Sequence, residues 1–208
     1  MATTLLEQIQ QGCDELGLTL SEQQQQHLLG YVLLLDKWNK VYNLTSVRNI
    51  DEMVSRHLLD SLSILPYLSG VSLLDVGSGG GLPGIPISIA RPDLAVTLLD
   101  SNSKKTRFLQ QVKAELGLDN VTVVHARIEQ ADLPQYEMVT ARAFSTIGDI
   151  IDLTGGHCHD AGKLLLMKGV YPESELGALG NDFSLGSIHV LDVPGSDGQR
   201  HLVELVKG

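Results

Sequence analysis

Leu73-Leu74-Asp75-Val76-Gly77-Ser78-Gly79-Gly80-Gly81-Leu82-Pro83-Gly84 decides how the rest of this chain is read. Residues 71–76 form a short apolar run suited to a buried strand. Five glycines then fall within eight positions, and from Ile85 to Ala90 the pattern turns apolar and helical. A strand that breaks into glycine and restarts as a helix brings bare backbone and a helix N-terminus together. A ligand can then approach closely, and unpaired N–H groups face anything anionic. A glycine-rich surface loop is the plain alternative. Against it stand the strand before the loop and a second strand, 95–99, that ends in an acid, Asp100.

On the N-terminal side the pattern is helical. Leu5, Ile9, Cys13 and Leu16 share a helical face that Gly17 is placed to stop. Ser21 and Gln24 make a capping box for a second helix through Leu28, Val32, Leu35 and Trp38. Residues 39–48 read as a polar connection, and 51–65 as a third helix ended by Pro66. On the C-terminal side strand and helix alternate: helix 84–90, strand 95–99, helix 102–116 capped by Asn102, strand 121–125, strand 138–141, helix 147–153, strand 162–167 and helix 172–179. Two strand-like runs, 187–193 and 201–207, flank Pro194-Gly195-Ser196-Asp197-Gly198 and predict a hairpin. Alternation implies an α/β fold with a mostly parallel sheet covered by helices, and the hairpin an antiparallel edge. The expected organisation is an N-terminal helical cap, 1–68, packed on an α/β domain, 69–208.

The chain has 208 residues, of which 43% are hydrophobic and only 4% aromatic, so Leu, Val and Ile must build the core. A formal net charge of −10 gives no global attraction to nucleic acid or anionic membrane, so any RNA-binding face must be local. Cys13 and Cys158 lie far apart, as suits a reducing compartment. The start lacks the features of a signal peptide and no run is long enough to span a membrane, so the expected location is the cytoplasm. His157-Cys158-His159 is too tight for all three side chains to ligate one ion, and no metal is expected.

The glycine stretch fits two templates. Gly79 to Gly84 satisfies G-x-G-x-x-G, with Asp100 at the interval of a ribose-binding acid in a dinucleotide site. Asp75-x-Gly77-x-Gly79-x-Gly81 equally satisfies the acidic-then-glycine pattern of class I S-adenosylmethionine enzymes. Three features favour the second. Asp75 suits a ligand carrying an ammonium and a sulfonium and would repel a pyrophosphate. Some seventy helical residues precede the loop, whereas a dinucleotide fold begins at its fingerprint. The terminal hairpin matches the reversed strand of the methyltransferase sheet.

The sequence resembles the RsmG (glucose-inhibited division protein B) family over nearly its whole length. The resemblance rests on Trp38-Asn39-Lys40, Asn43-Leu44-Thr45, His57-Leu58-Leu59-Asp60-Ser61-Leu62 and Leu74 to Pro86. It extends through Leu99-Asp100-Ser101 with Lys104, Lys105, Arg107 and Phe108, Arg142-Ala143-Phe144, Lys168-Gly169 and Gly198-Gln199-Arg200-His201-Leu202. Gly80 stands where many relatives are expected to carry proline, and Ser78 where threonine is common. The resemblance implies a class I methyltransferase fold and methyl transfer from S-adenosylmethionine to N7 of a guanine in 16S rRNA, position 527 of the 530 loop. The implied partner is the 30S subunit or its assembly intermediate, met by a monomer.

By resemblance, Gly77 and Leu82 line the cofactor site, Ile128 and Glu129 flank the adenine, and Arg142 contacts cofactor or substrate. The fold adds Asp75, Gly79, Gly81 and Asp100, the last as acceptor for ribose hydroxyls; an N-cap is its simpler role. Guanine N7 has a free lone pair and no proton, so no acid or base is assigned. Arg142 and Lys168 are the candidates to orient the ring through O6, with a structural salt bridge as the plainer role for Lys168. Lys104, Lys105 and Arg107 form the densest basic cluster, extended by Arg48, Arg56, His57 and Arg91 as RNA-binding candidates. A methyltransferase acting on another RNA or a small molecule, and a non-catalytic nucleotide-binding module, are the competing readings.

Overall fold

Strand and helix alternate as a single seven-stranded sheet with helices on both faces, in a computed structural model that describes residues 3–142, 146–179 and 182–208. Two capped helices open the chain. Helix α1 (Leu5–Glu15) is closed at its start by a Thr4–Glu7 capping box, and α2 (Glu22–Tyr42) by the Ser21–Gln24 box. Each box satisfies two otherwise orphaned N–H groups. Helix α2 runs past the polar residues at 39–42 and stops only at Asn43, which takes a left-handed conformation, φ 51°. Asn39 is buried and organises the connection that follows: its amide donates to Val47 O at 2.8 Å and accepts from Thr45 N at 2.9 Å.

The expected single helix over 51–65 is instead three pieces. Helix α3 (Ile50–Met53) widens into a π-helical turn, Val54–Leu59, and resumes as α4 (Asp60–Leu62). Pro66 does not end it; it sits inside a 3₁₀ turn, Leu65–Tyr67. Buried Val54, Leu58 and Leu62 recur at four-residue spacing, which suits an α-helix and over so short a run does not exclude a wider turn.

The sheet runs β3-β2-β1-β4-β5-β7-β6, with β1 (Ser72–Val76), β2 (Ala95–Asp100), β3 (Val121–His125), β4 (Tyr136–Arg142) and β5 (Cys158–Lys168) all parallel. The hairpin of β6 (Phe183–Val190) and β7 (His201–Lys207) closes it, but the reversed strand is not the edge. Strand β7 lies antiparallel between β5 and β6. Burial gives the reason: Leu202, Val203 and Leu205 are fully buried, as an interior strand covered on both faces requires, whereas the start of β6 after Phe183 is exposed. The expected helix over 172–179 is a 3₁₀ segment, Glu173–Ala178.

Side chains alternate between two apolar clusters along each strand, as the pleat dictates. Leu73, Val96, Leu98, Met138 and Leu165 join one cluster with α1, α2, the π-helical turn, α5 (Gly84–Ala90) and α6 (Ser103–Leu116). Leu74, Val76, Leu99, Val139, Leu164 and Leu166 join the other with α7 (Ile147–Thr154). The N-terminal helices therefore share a core with the helices of the α/β body, and Gln24 adds hydrogen bonds to the carbonyls of Ile89 and Ala90 at 3.0 Å each.

Candidate functional site

A cavity of about 540 Å³ opens at the C-terminal ends of β1, β2 and β4, where open α/β sheets bind their ligands. Gly77, Gly79 and Leu82 line it from the glycine loop, Asp100 from the end of β2, Ile128 and Glu129 from the 3₁₀ turn after β3, and Arg142 from the end of β4. Seven of the nine expected cofactor residues thus meet at one cavity, together with Leu44 and Thr45 from the connection after α2.

The loop offers an anion far fewer unpaired N–H groups than its glycines lead one to expect: of the seven N–H groups of residues 77–84, only that of Gly80 has no hydrogen bond among the described residues. Gly77 N and Ser78 N both donate to Leu99 O, at 2.8 and 3.0 Å, and Gly79 N donates to Asp100 Oδ2 at 2.9 Å. Gly81 N and Leu82 N donate to Ser78 O, at 2.7 and 3.0 Å, and Gly84 N to Asp75 Oδ2 at 2.9 Å. A pyrophosphate would find most of its usual donors spent, whereas a cationic ligand needs none of them. Gly77 and Gly79 take φ of 70° and 58° at the cavity wall, while Gly81 and Gly84 serve packing. A Cβ on Gly81, φ 89°, would meet Ile85 Cγ1 at 2.6 Å, and one on Gly84 would collide with Leu98 Cδ2.

Asp75 is outside the cavity. It is fully buried behind the loop, its Oδ2 holding Gly84 N and its Oδ1 without a partner. Burial pushes its carboxyl up to about 7, against the pull of the Gly84 N–H and the Arg142 charge. Tyr31, also fully buried, donates from α2 to Gly80 O at 2.7 Å and braces the other side of the loop. Asp100 is not the N-cap of α6; Asn102 is, accepting from Lys104 N at 2.9 Å. Asp100 Oδ1 accepts from Asn102 N at 2.8 Å, and Lys105 Nζ approaches its Oδ2 at 3.6 Å. Each carboxylate oxygen keeps lone-pair capacity toward the cavity it lines.

Arg142 stands at a junction. It borders the large cavity and also a second one of about 280 Å³ lined by His57, Asp60, Lys168, Arg200 and His201. Its Nη1 donates to Asp60 Oδ2 at 2.9 Å, and Arg200 Nε reaches the other oxygen, Oδ1, at 2.9 Å. Arg142 Nη2 lies 3.1 Å from His57 Nδ1, and His57 Nε2 lies 2.7 Å from Thr45 Oγ1. His57 Nδ1 also lies 3.0 Å from Arg56 O, so one tautomer accepts from Arg142 at Nδ1 and donates from Nε2 to Thr45, and the other donates from Nδ1 to Arg56 O and accepts from the Thr45 hydroxyl at Nε2. Burial and then the Arg142 charge push His57 down to about 4, which keeps it neutral. Lys168 pairs with Glu175 Oε2 at 2.9 Å at the rim of the same cavity.

The basic candidates separate by position. Lys104 and Arg107 are exposed on α6, and Arg107 borders an open groove with Trp38 and His125. Lys105 turns into the large cavity instead. Arg56 is exposed and pairs with Glu52 at 3.1 Å, and Arg48 braces Asn43 Oδ1 at 2.7 Å. Arg91 does not join the site. It follows the C-terminus of α5, at the end of the sheet away from the cavity, in a two-pronged pair with Asp93 at 2.8 and 2.7 Å. Ala143 and Phe144, part of the motif quoted above, lie outside the described residues. Sequence reasoning assigned no role to Arg200, Tyr31 and Thr45, and took Asp60 only as an acid one helical turn from His57. Thr45, Asp60 and Arg200 lay within quoted motifs, and that spacing of Asp60 from His57 was the available signal for the cluster.

The sequence profile of the rRNA small subunit methyltransferase G family matches residues 24–203. The ribosomal RNA small subunit methyltransferase G of Neisseria meningitidis serogroup C is 50% identical over 202 residues, covering 97% of this chain and 98% of its own. That of Ectopseudomonas mendocina is 55% identical, covering 96% and 94%. The fold is similar to that of a SAM-dependent methyltransferase from Aquifex aeolicus, with a TM-score of 0.58 and 19% identity over 73% of this chain and 91% of that one.

Proposed function

Because the chain belongs to the rRNA small subunit methyltransferase G family, we propose that it transfers a methyl group from S-adenosylmethionine to N7 of a guanine in 16S rRNA. The target is the guanine at position 527, within the 530 loop of the small subunit or its assembly intermediate. The observation that supports this most is the glycine loop with all of its N–H groups but that of Gly80 satisfied internally, facing a cavity that has Asp100 on one side and Arg142 on the other. Such a wall suits a cofactor with a cationic centre and ribose hydroxyls and disfavours a dinucleotide.

Bound S-adenosylmethionine supplies a methyl carbon on a sulfonium, whose sulfur keeps the bonding electron pair and leaves as a thioether while the guanine N7 lone pair forms the new bond. No proton moves, so the protein's part is placement. Asp100 accepts from the ribose hydroxyls, and Leu82 and Ile128 provide apolar walls for the adenine, with Glu129 at its exposed edge. Arg142, held by Asp60 and His57, is fixed between the two cavities, where it separates and aligns the two reactants. A fixed guanidinium in a partly buried site also favours the electron-rich O6 face of guanine over competing orientations. Lys104, Arg107 and Arg56 contact phosphates on the exposed surface around this entrance. The acidic balance of the rest of the chain favours a pre-assembled ribonucleoprotein over naked RNA.

Tritium transfer from labelled S-adenosylmethionine to 30S subunits lacking the modification tests the proposal. Stoichiometric label in 16S rRNA is expected; cofactor binding with no transfer to ribosomal material contradicts it.

A further inference from the structure

One buried carboxylate holds two arginines at the smaller cavity. The side chain of Asp60 is 6% exposed, and its two oxygens accept from Arg142 Nη1 and Arg200 Nε, each at 2.9 Å. The three residues come from separate parts of the fold. Asp60 follows the π-helical turn, Arg142 ends β4, and Arg200 precedes β7. The same turn brings His57, three residues before Asp60, to 3.1 Å from Arg142 Nη2, and π-helical turns are frequent at functional sites. The backbone leaves the second guanidinium its room: an added Cβ would stand 2.9 Å from Arg200 Nη1 at Gly198 and 3.9 Å from it at Gly169.

The charges of this cluster do not cancel. Arg56, Arg142, Lys168 and Arg200 line the cavity against one acid, Asp60. Glu52 pairs with Arg56 and Glu175 with Lys168, so the two guanidiniums on Asp60 leave one positive charge over. The carboxylate is shielded from solvent, whereas the side chains of Arg142 and Arg200 are 20% and 26% exposed. A surplus positive charge held in a fixed geometry suits a phosphate, and in a chain of net charge −10 it is a local attraction for RNA. At about 280 Å³ the cavity lies near the lower end of small-molecule sites, with room for one phosphate group and its sugar. We infer that this cavity takes a phosphate of the RNA strand carrying the target guanine, with Arg200 as its ligand and Asp60 as the residue that positions Arg200 and Arg142 together. The inference rests on the functional reading above, to which it adds a binding role for Arg200 and a positioning role for Asp60. Fixing both guanidiniums before the RNA arrives lowers the ordering cost of binding it. Arg142, which borders both cavities, then ties the placement of the strand to that of the cofactor.

The sign of one substitution separates positioning from simple attraction. Asp60→Asn removes a negative charge, so attraction alone would tighten RNA binding, whereas positioning requires that binding weaken. Each variant is assayed for equilibrium binding to 30S subunits lacking the mark across a salt series, for tritium transfer to them, and for cofactor affinity by titration calorimetry. Asp60→Asn is expected to raise the Kd for the subunits and to lower kcat/KM about tenfold or more. Arg200→Gln should raise the Kd and KM for the subunits about tenfold and lower the slope of log affinity against log salt by about 0.7 to 0.9, with cofactor affinity unchanged. Arg200→Lys, which keeps the charge, should recover the slope. Tighter or unchanged subunit binding by Asp60→Asn overturns the inference. So does a slope unchanged in Arg200→Gln or equally lowered in Arg200→Lys, and this pair decides the matter by itself where Asp60→Asn does not fold. A loss of cofactor affinity in Arg200→Gln that matches its loss of subunit binding would mark a structural role and overturn it too. Absence of transfer by the unsubstituted protein overturns the functional reading and this inference with it.

Discussion

Single side chains divide into those that touch the ligand and those that hold the ones that do. Asp100 belongs to the first group. Asp100→Asn removes the charge that strengthens a hydrogen bond to a ribose hydroxyl, and cofactor affinity should fall about tenfold in calorimetry, with the unfolding midpoint little changed. Asp75 belongs to the second group, and its titration runs opposite to that of His57. His57 is pushed from the usual 6.5 to about 4, so the unfolded chain binds more protons between those values and stability rises with pH across that window. Asp75 is pushed from 3.8 to about 7, so the folded chain binds more protons and stability falls as pH rises across that window. The two slopes offset each other between about 4 and 6.5. Asp75→Asn removes the second slope, and urea unfolding at a series of pH values should then show stability climbing more steeply from pH 4 to 6.5. An unchanged profile would show that Asp75 is not protonated in the fold. The position of Asp75 was legible in the sequence but its role was not. Its partner is the Gly84 N–H nine residues on, within the same turn, and not the ligand.

Among the elements, α2 does more than cover the sheet. The hydroxyl of Tyr31 fixes Gly80 O, so the helix sets the shape of the glycine loop from behind. Tyr31→Phe leaves that carbonyl without its donor and should cost about 1–3 kcal/mol in urea unfolding, with weaker cofactor binding. A stability loss without any change in binding would show that the loop keeps its shape alone. The end of α1 and the starts of α5 and α6 were readable from Gly17, Gly84 and Asn102, because caps and glycines act locally. The π-helical turn at Val54–Leu59 was not, since four-residue apolar spacing over so short a segment leaves the helix type open. Nor was the insertion of β7 between β5 and β6, which depends on burial of both its faces by distant elements. The cluster of Asp60, Arg142 and Arg200 joins three segments that only the assembled sheet brings together.

At the scale of the whole molecule, an acidic chain must present RNA with a small basic surface. Lys104 and Arg107 are exposed on α6, the helix that follows Asp100. Replacing both with glutamate should weaken binding to 30S subunits and lower the slope of log affinity against log salt by about 1.5 to 2, while cofactor affinity stays constant. An unchanged slope would place the RNA on another face. The central claim, methyl transfer to one guanine N7, is tested most directly by analysing the labelled 16S rRNA after reaction with 30S subunits lacking the mark. The account predicts tritium in 7-methylguanine alone, at one site within the 530 loop. Label in any other nucleoside, or no label despite measurable cofactor binding, would contradict it.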